Sequence, residues 1–229
     1  MIAVAQPPCT PCDVAVNARA HAAAVRAAGA RVVVFPELSL TGYEFAAPAV
    51  EAGDPRLAPL VEACASTGSI ALAGAPVAAD DRGTCIAMLA VDAGGAVVAY
   101  RKVWLGGSES GRFVAGPAPA VLEIDGWRLG LAICKDTGVA RHAADTAALG
   151  IDAYVAGVLE LEEDAAIPEE RARRIAAEHR VWVAIASFAG PTGQGYERSA
   201  GGSGIWAPDG RALARCGREP GAWAVATLG

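Results

Sequence analysis

The chain has 229 residues, 53% of them hydrophobic and 19% charged, with a mean hydropathy of +0.33. This composition excludes intrinsic disorder, because so apolar a chain buries enough surface to offset its ordering entropy. Its purely apolar runs are far shorter than the roughly 18 residues of a membrane-spanning helix, and its net charge of −6, with both signs interspersed, argues against nucleic acid as a partner.

Helices and strands alternate at both ends of the chain, and the predicted helices are marked by capping residues, by proline in the first turn or by a following glycine. Short apolar runs predict buried strands, and glycine turns between such runs predict hairpins. In chain order the prediction is strand 2–5, helix 13–28, strand 32–35, helix 54–68, strands 69–74, 85–91 and 97–101, a loop at 102–119, strands 120–124 and 127–133, helix 139–149, strand 153–155, helix 168–179, strand 181–187, and closing strands 204–207, 211–215 and 222–227.

This order of elements predicts the fold class. Buried strands combined with both hairpins and strand–helix units indicate an α/β protein with a mixed sheet or with two sheets. No repeat, low-complexity tract or linker interrupts the sequence, so we expect one domain covering residues 1–229.

The chain has one cluster of basic residues, made by Arg171, Arg173 and Arg174. They stand beside Glu169 and Glu170 on a predicted helix. Because opposite charges three or four residues apart pair along a helix surface, we interpret this cluster as a solvated, salt-bridged face.

The six cysteines are expected to be mostly reduced, because the first residues show no signal peptide and the chain is long for a disulfide-stapled fold. We therefore expect a cytoplasmic protein. Cys9 and Cys12 form a C-x-x-C pair, but zinc would need a second pair of ligands. A plain loop after the first strand is the favoured interpretation, with a redox or metal site as the alternative.

Three of the predicted strands end beside a residue with reactive chemistry: Glu37, Lys102 and Cys134. Ligands of α/β folds bind beyond the carboxyl ends of strands, so the three can converge on one crevice. A thiolate can attack a carbonyl carbon, a carboxylate can take the thiol proton and pass it to a leaving amine, and an ammonium with a backbone N–H can stabilise the oxyanion. This chemistry needs no metal or other cofactor.

At these residues the chain resembles the nitrilase, or carbon–nitrogen hydrolase, superfamily. The family's glutamate motif is matched by residues 35–43 (FPELSLTGY), its lysine motif by 100–102 (YRK) and its cysteine motif by 130–136 (GLAICKD). The resemblance continues through 171–190 and 201–210 and so covers nearly the whole chain. Each motif is weak alone, but three in the right order and spacing are specific.

The resemblance implies a four-layer αββα sandwich, with two mixed sheets and helices outside, commonly paired into a dimer. It implies that Glu37 is the general base, Lys102 the stabiliser of the tetrahedral intermediate and Cys134 the nucleophile. Glu109 matches a second family glutamate that helps to position the substrate, with a solvated loop acid as the alternative. Tyr43 is assigned either to packing or to the wall of the substrate pocket.

The segment after the cysteine departs from the family pattern. An aromatic residue commonly follows the nucleophile, but Lys135 stands here, and residues 138–140 replace a common Phe-Pro-Glu stretch. The shape of the pocket therefore does not transfer. Lys135 is interpreted as a surface residue, as a cation that lowers the pKa of Cys134, or as an anchor for a substrate carboxylate.

The leading hypothesis is hydrolysis of a non-peptide carbon–nitrogen bond in a small amide or carbamoyl compound, through a thioester on the cysteine. Acyl transfer to an amine and nitrile hydrolysis are alternatives on the same residues, and a catalytically silent binding or scaffold protein is the alternative from another class. A Cys-His-Glu glutaminase needs a His-x-Glu sequence, which none of His21, His142 and His179 begins, so we interpret these histidines as structural. The expected partners are a small-molecule substrate and further copies of the chain, as a homodimer or larger homo-oligomer, without nucleic acid or membrane.

The carboxylate-anchor hypothesis for Lys135 makes a testable prediction. Replacing the lysine, in Lys135→Met, removes the cation that would pair with a substrate carboxylate, so KM should rise mainly for anionic substrates. Steady-state kinetics on matched anionic and neutral amides would measure this, and an equal loss on both would contradict the hypothesis.

Overall fold

A computed structural model describes residues 1–79 and 81–229 of the chain. Two six-stranded mixed sheets pack face to face, and helices cover the outer face of each sheet. This arrangement is an αββα sandwich, so the predicted α/β four-layer fold is confirmed. Among these described residues, no helix has the length and apolar character needed to cross a membrane.

The strands and helices alternate much as the sequence predicts. The strands are β1 (Ile2–Gln6), β2 (Val32–Val34), β3 (Ile70–Ala78), β4 (Thr84–Asp92), β5 (Gly95–Arg101), β6 (Ala120–Ile124), β7 (Trp127–Ile133), β8 (Ala153–Val158), β9 (Trp182–Ser187), β10 (Ala189–Gly190), β11 (Ser199–Ala200), β12 (Gly204–Trp206), β13 (Ala212–Arg215) and β14 (Ala222–Ala226). The helices are α1 (Val14–Ala28), α2 (Ala58–Thr67), α3 (Lys135–Gly138), α4 (Ala140–Ala147) and α5 (Ile167–His179), with short 3-10 turns at Pro55–Leu57, Glu109–Gly111 and Glu162–Asp164.

The two sheets are built alike. The first has the strand order β14-β1-β2-β3-β4-β5 and the second β13-β12-β9-β8-β7-β6. In each, the three central strands run parallel (β1, β2 and β3; β7, β8 and β9) and the outer strands are antiparallel. The parallel strands of each sheet therefore end at one edge, where loops can form a site.

Side chains of a strand point alternately to its two faces, and this alternation separates three apolar layers. In β1, Ile2 and Val4 face the opposite sheet, whereas Ala3 and Ala5 pack against α1 and α2. The outer face of the second sheet packs against α4 and α5 through residues such as Ile175. These three layers account for the high apolar content of the chain.

Several local features differ from the sequence prediction: β3 runs four residues beyond the predicted 69–74, and the short strands β10 and β11 are not predicted. The sequence predicts one helix in this region, over 139–149. The structure has two: the short α3 directly after Cys134, and then α4. Strand β8 runs three residues beyond the predicted 153–155. The helix boundary signals at α1 hold: the Asp13 carboxylate accepts a hydrogen bond from Val16 N–H at 2.9 Å.

The chain after β2 leaves its sheet and passes between the two sheets. Two glycines make room for it: a Cβ on Gly74 of β3 would lie 2.3 Å from the backbone nitrogen of Leu38, and one on Gly157 of β8 would lie 2.5 Å from the carbonyl oxygen of Phe35. Both distances are far below van der Waals contact. The turn that carries Glu37 is thus held by backbone packing against both sheets.

Gly157→Ala should destabilise the fold, because its methyl group would overlap backbone that cannot move away as a flexible side chain can. Overpacking of this kind costs about 1–3 kcal/mol, which urea unfolding followed by circular dichroism would measure as a lower free energy of unfolding. Gly53→Ala is the matched control, since a Cβ there meets no atom within 4 Å. Equal stability of the two variants would contradict this account of the turn.

Candidate active site

The three reactive residues that follow strand ends come together at the edge of the sandwich. Glu37 follows β2, Lys102 follows β5, and Cys134 follows β7. The Lys102 Nζ donates a hydrogen bond to Glu37 Oε1 at 2.6 Å, and both side chains are fully buried. Cys134 is partly exposed, and the charges of Glu37 and Lys102 both act on the pKa of its thiol. The structure therefore places the three in one cluster.

Glu109 is a fourth member of this cluster. Its oxygens accept hydrogen bonds from Lys102 Nζ at 2.7 and 2.8 Å, and Oε2 also accepts the Gly106 N–H at 2.6 Å. The Tyr43 hydroxyl donates to Glu109 Oε1 at 2.7 Å. Glu109 is buried, so it is not a solvated loop acid, and Tyr43 contacts the cluster directly through its hydroxyl group.

The nucleophile candidate occupies a sharp turn between β7 and α3. Cys134 has φ 44° and ψ −97°, a sparsely populated conformation that the surroundings must hold in place. Its N–H donates to the Gly157 carbonyl at 3.0 Å, and its thiol donates to the Leu159 carbonyl at 3.4 Å. Both carbonyls belong to β8 or the residue after it, so the neighbouring strand positions the thiol.

Asp136 fixes the other side of this turn. Its carboxylate accepts hydrogen bonds from the Ile133 N–H at 2.9 Å, the Trp104 N–H at 2.8 Å and the Tyr100 hydroxyl at 2.7 Å. These donors flank both the cysteine and Lys102. Sequence reasoning quotes Asp136 only as part of a motif, and no pattern in the sequence shows that this carboxylate, three residues after β7, is buried and bonded.

The hydrogen-bond network of Asp136 continues into the core. The Tyr100 hydroxyl gives its one proton to Asp136, so in its 2.9 Å contact with His142 the imidazole Nε2–H is the donor. The other ring nitrogen, Nδ1, then accepts from the Tyr154 hydroxyl at 3.0 Å. Burial lowers the pKa of His142, against the opposing charge of Asp136, and keeps the imidazole neutral. The histidine thus has a structural place behind the cluster.

The electrostatics of the cluster separate its members by protonation state. Burial raises the pKa of Glu37 to about 7, against the opposing effect of Lys102 and with support from the charge of Glu109. Burial also raises the pKa of the Cys134 thiol well above its usual range, with a further rise from Glu37. Burial alone would lower the pKa of Lys102, but the neighbouring carboxylates and thiol outweigh it and keep the ammonium charged.

Two other sets of predicted residues stand apart from the cluster. Lys135 is exposed, and its side chain makes no hydrogen bond or ion pair with any residue that the structure describes. Cys9 and Cys12 lie in the loop between β1 and α1, with both thiols free.

Sequence reasoning misses Glu160 and Tyr196 on the cysteine side of the site, and its interpretation of Arg171 is wrong. Arg171 does not belong to a solvated face: it is largely buried and pairs with Glu160, Nη1 to Oε1, at 2.8 Å. Of the three arginines, Arg173 is the solvated one, because Arg174 is only 29% exposed and also donates to the Thr137 carbonyl at 3.0 Å. Tyr196 lies in the loop between β10 and β11.

Comparison with known proteins supports what the geometry indicates. The sequence pattern of the carbon-nitrogen hydrolase family matches residues 1–228. The chain is also 33% identical over 227 residues to "Hydrolase in pqqF 5'region" of Pseudomonas protegens, which covers 95% of this chain and 79% of that protein.

Solved structures of the amidase from Nesterenkonia sp. AN1 have the same fold. One, a Glu-to-Gln variant showing the result of Michael addition of acrylamide at the active-site cysteine, matches with a TM-score of 0.88 and 26% identity, over 100% of this chain and 92% of that one. A Cys-to-Ala variant in complex with butyramide matches with a TM-score of 0.85 and 26% identity, over 97% and 88%. With a family match along its length, a curated relative at 33% identity and this shared fold, the chain belongs to the carbon–nitrogen hydrolase family and is an enzyme of that class.

Proposed function

We propose that the protein hydrolyses the amide or carbamoyl-type bond of a small molecule through a covalent thioester on Cys134. One observation carries the proposal. Glu37 is bonded to Lys102 through Oε1 only, while its buried Oε2 has no hydrogen-bond partner in the described part of the chain. A buried carboxylate oxygen left free beside a neutral thiol is the arrangement that a general base requires.

In the first step the thiol attacks the carbonyl carbon of the substrate and Glu37 takes the thiol proton. The pKa of about 7 suits this role, because the carboxylate is charged over the upper part of the neutral range and still basic enough to accept the proton. The carbonyl oxygen becomes an oxyanion. Lys102 supplies a fixed positive charge to it, and the Lys135 N–H adds a donor, since the first N–H groups of a helix such as α3 have no partner within the helix.

In the second step the carbon–nitrogen bond breaks. Glu37 returns its proton to the departing nitrogen, which leaves as ammonia or an amine, and the acyl group stays on the Cys134 sulfur. Water then attacks the thioester with Glu37 again as the base, releasing the carboxylic acid and restoring the thiol. Glu109 holds Lys102 in place through both of its oxygens.

The comparisons and the thiol support the proposed substrate class. The Nesterenkonia amidase is seen with butyramide, which supports a small amide ahead of a nitrile. A mechanism that depends on a free thiol also suits a reducing compartment, so the cytoplasm remains the proposed location. A homodimer or larger homo-oligomer remains the proposed assembly.

Cys134→Ala should reduce ammonia release from small amides such as butyramide by at least about a thousandfold, because the covalent route is lost. A coupled ammonia assay measures the rate, and intact mass spectrometry of the wild type should show an acyl adduct absent from the variant. Cys12→Ala, which removes an exposed thiol outside the cluster, is the control and should keep the wild-type rate. Undiminished ammonia release by Cys134→Ala would refute the mechanism.

The rate should also depend on pH through Glu37. Below about pH 7 the carboxyl is protonated and cannot accept the thiol proton, so kcat/KM should rise as pH increases through about 7. Glu37→Gln should lower kcat by about a hundredfold or more and remove this rise. A pH–rate profile of both proteins is the measurement, and a wild-type profile without the rise would contradict the assignment.

A further inference from the structure

Glu160 lies next to the cysteine, and the proposed chemistry does not use it. It follows β8 directly after Leu159, whose carbonyl accepts the Cys134 thiol at 3.4 Å. The backbone at this point is fixed, since the Glu160 carbonyl accepts the Ala200 N–H at 2.9 Å. The residue is therefore held at the same edge of the second sheet as the thiol.

A second route ties the Glu160 side chain to the nucleophile turn. Its Oε1 accepts Arg171 Nη1 at 2.8 Å, and the same arginine nitrogen lies 3.4 Å from Thr137 Oγ1. The Thr137 hydroxyl donates to the Cys134 carbonyl at 2.7 Å. Glu160 Oε2, by contrast, makes no hydrogen bond with any described residue, although its side chain is only 17% exposed.

The charge of Glu160 opposes the proposed chemistry. After burial and Glu37, it is a further cause that raises the pKa of the Cys134 thiol and so disfavours the thiolate. Pairing with Arg171 accounts for one oxygen of the carboxylate, Oε1. The other oxygen, Oε2, is free to accept from a donor group of a ligand.

The partners already made around the cysteine leave acceptors in excess. Both cations buried in or beside the cluster are committed, Lys102 to Glu37 and Glu109, and Arg171 to Glu160. Among the described residues, two carboxylate oxygens at this place have no hydrogen-bond partner: Glu37 Oε2, which is buried, and Glu160 Oε2, which solvent still reaches. A substrate that brings two donor groups would satisfy both.

Tyr196 adds a third free polar group to this side of the site. Its ring packs 5.3 Å from the Tyr43 ring, and its hydroxyl makes no hydrogen bond within the described ranges. Burial raises its pKa, and the charges of Cys134, Glu160, Glu37 and Glu109 raise it further. Neutral at ordinary pH, it can accept from a cation as well as donate.

We propose that Glu160 binds a cationic amino group on the acyl chain of the substrate, so that the enzyme prefers primary amides whose chain ends in an ammonium. The carboxamide N–H then meets Glu37 Oε2 and the ammonium meets Glu160 Oε2, with the Tyr196 hydroxyl beside it. This inference rests on the amidase function proposed above and adds its substrate class.

The test uses pairs of amides of equal size. β-Alaninamide differs from butyramide, and 4-aminobutanamide from pentanamide, only in an ammonium that replaces the terminal methyl group. For at least one pair the wild type should show a kcat/KM about tenfold or more in favour of the amino amide. Glu160→Gln should reduce that ratio about tenfold or more, mainly through KM, as expected for a lost hydrogen bond to a charged group.

Glu169→Gln is the matched control, because Glu169 also pairs with arginines, Arg173 and Arg215, but on the exposed side of α5. It should leave the ratio at the wild-type value. Tyr196→Phe should weaken the preference less than Glu160→Gln does. The proposal would be overturned if the ratio of kcat/KM for the amino amide to that for its neutral partner were the same in wild type and Glu160→Gln. It would also be overturned if the enzyme preferred the anionic amide succinamate and Lys135→Met removed that preference.

Binding to Cys134→Ala separates this inference from the proposed function. Calorimetry on that variant should show tighter binding of the amino amide than of its neutral partner. This result depends neither on turnover by the wild type nor on the folding of Glu160→Gln. Turnover of butyramide without any preference for the amino amide, in kinetics and in binding, would overturn the inference and leave the amidase function standing. Selective binding without ammonia release would instead refute the amidase function.

Discussion

The buried ammonium of Lys102, held between Glu37 and Glu109, is the interaction on which the rest of the site depends. A charge removed from water is tolerated only when partners of opposite charge and good geometry replace its hydration. Here all three partner distances are between 2.6 and 2.8 Å. Glu109 lies in the same loop as Lys102, seven residues on, whereas Glu37 comes from the turn after β2. The ion pairs therefore fix the loop after β5 against that turn.

The placement of two carboxylates around one ammonium also affects the protonation states of Glu37 and Cys134. Burial and the charge of Glu109 raise the pKa of Glu37 to about 7, and Lys102 prevents it from rising further. The same burial and the charge of Glu37 keep the Cys134 thiol neutral. In the proposed mechanism the resting cluster therefore holds a neutral thiol beside a weak base, and the proton is transferred as the thiol attacks the carbonyl carbon.

The parts of the site that follow regular strands could be predicted from sequence. Glu37, Lys102 and Cys134 each come after a recognisable apolar strand, so topology alone brings them to one edge. The position of Glu109 comes from its motif context, because nothing in its own sequence shows that a loop acid is buried.

The interpretation of Arg171 is wrong for a physical reason. Glu169 and Glu170 beside it are satisfactory helix partners, and only the packing of α5 against the second sheet shows that its side chain reaches Glu160 instead. The sequence does not predict the short helix α3, because the helix begins directly after the unusual backbone conformation of Cys134, which residue type does not reveal.

This contrast separates two kinds of position in the fold. The proposed proton transfer and oxyanion stabilisation use groups whose places are set by the parallel strands and by backbone packing at Gly74 and Gly157, which tolerate little change. Glu160 lies where the chain leaves the second sheet and Tyr196 lies in the loop between β10 and β11, and their free polar atoms are not needed to bury Lys102. Residues at such positions can change the ligand that is recognised without disturbing the charge balance at Glu37. The ammonium site that we propose at Glu160 uses such a position, because Oε1 stays with Arg171 while Oε2 receives the ligand.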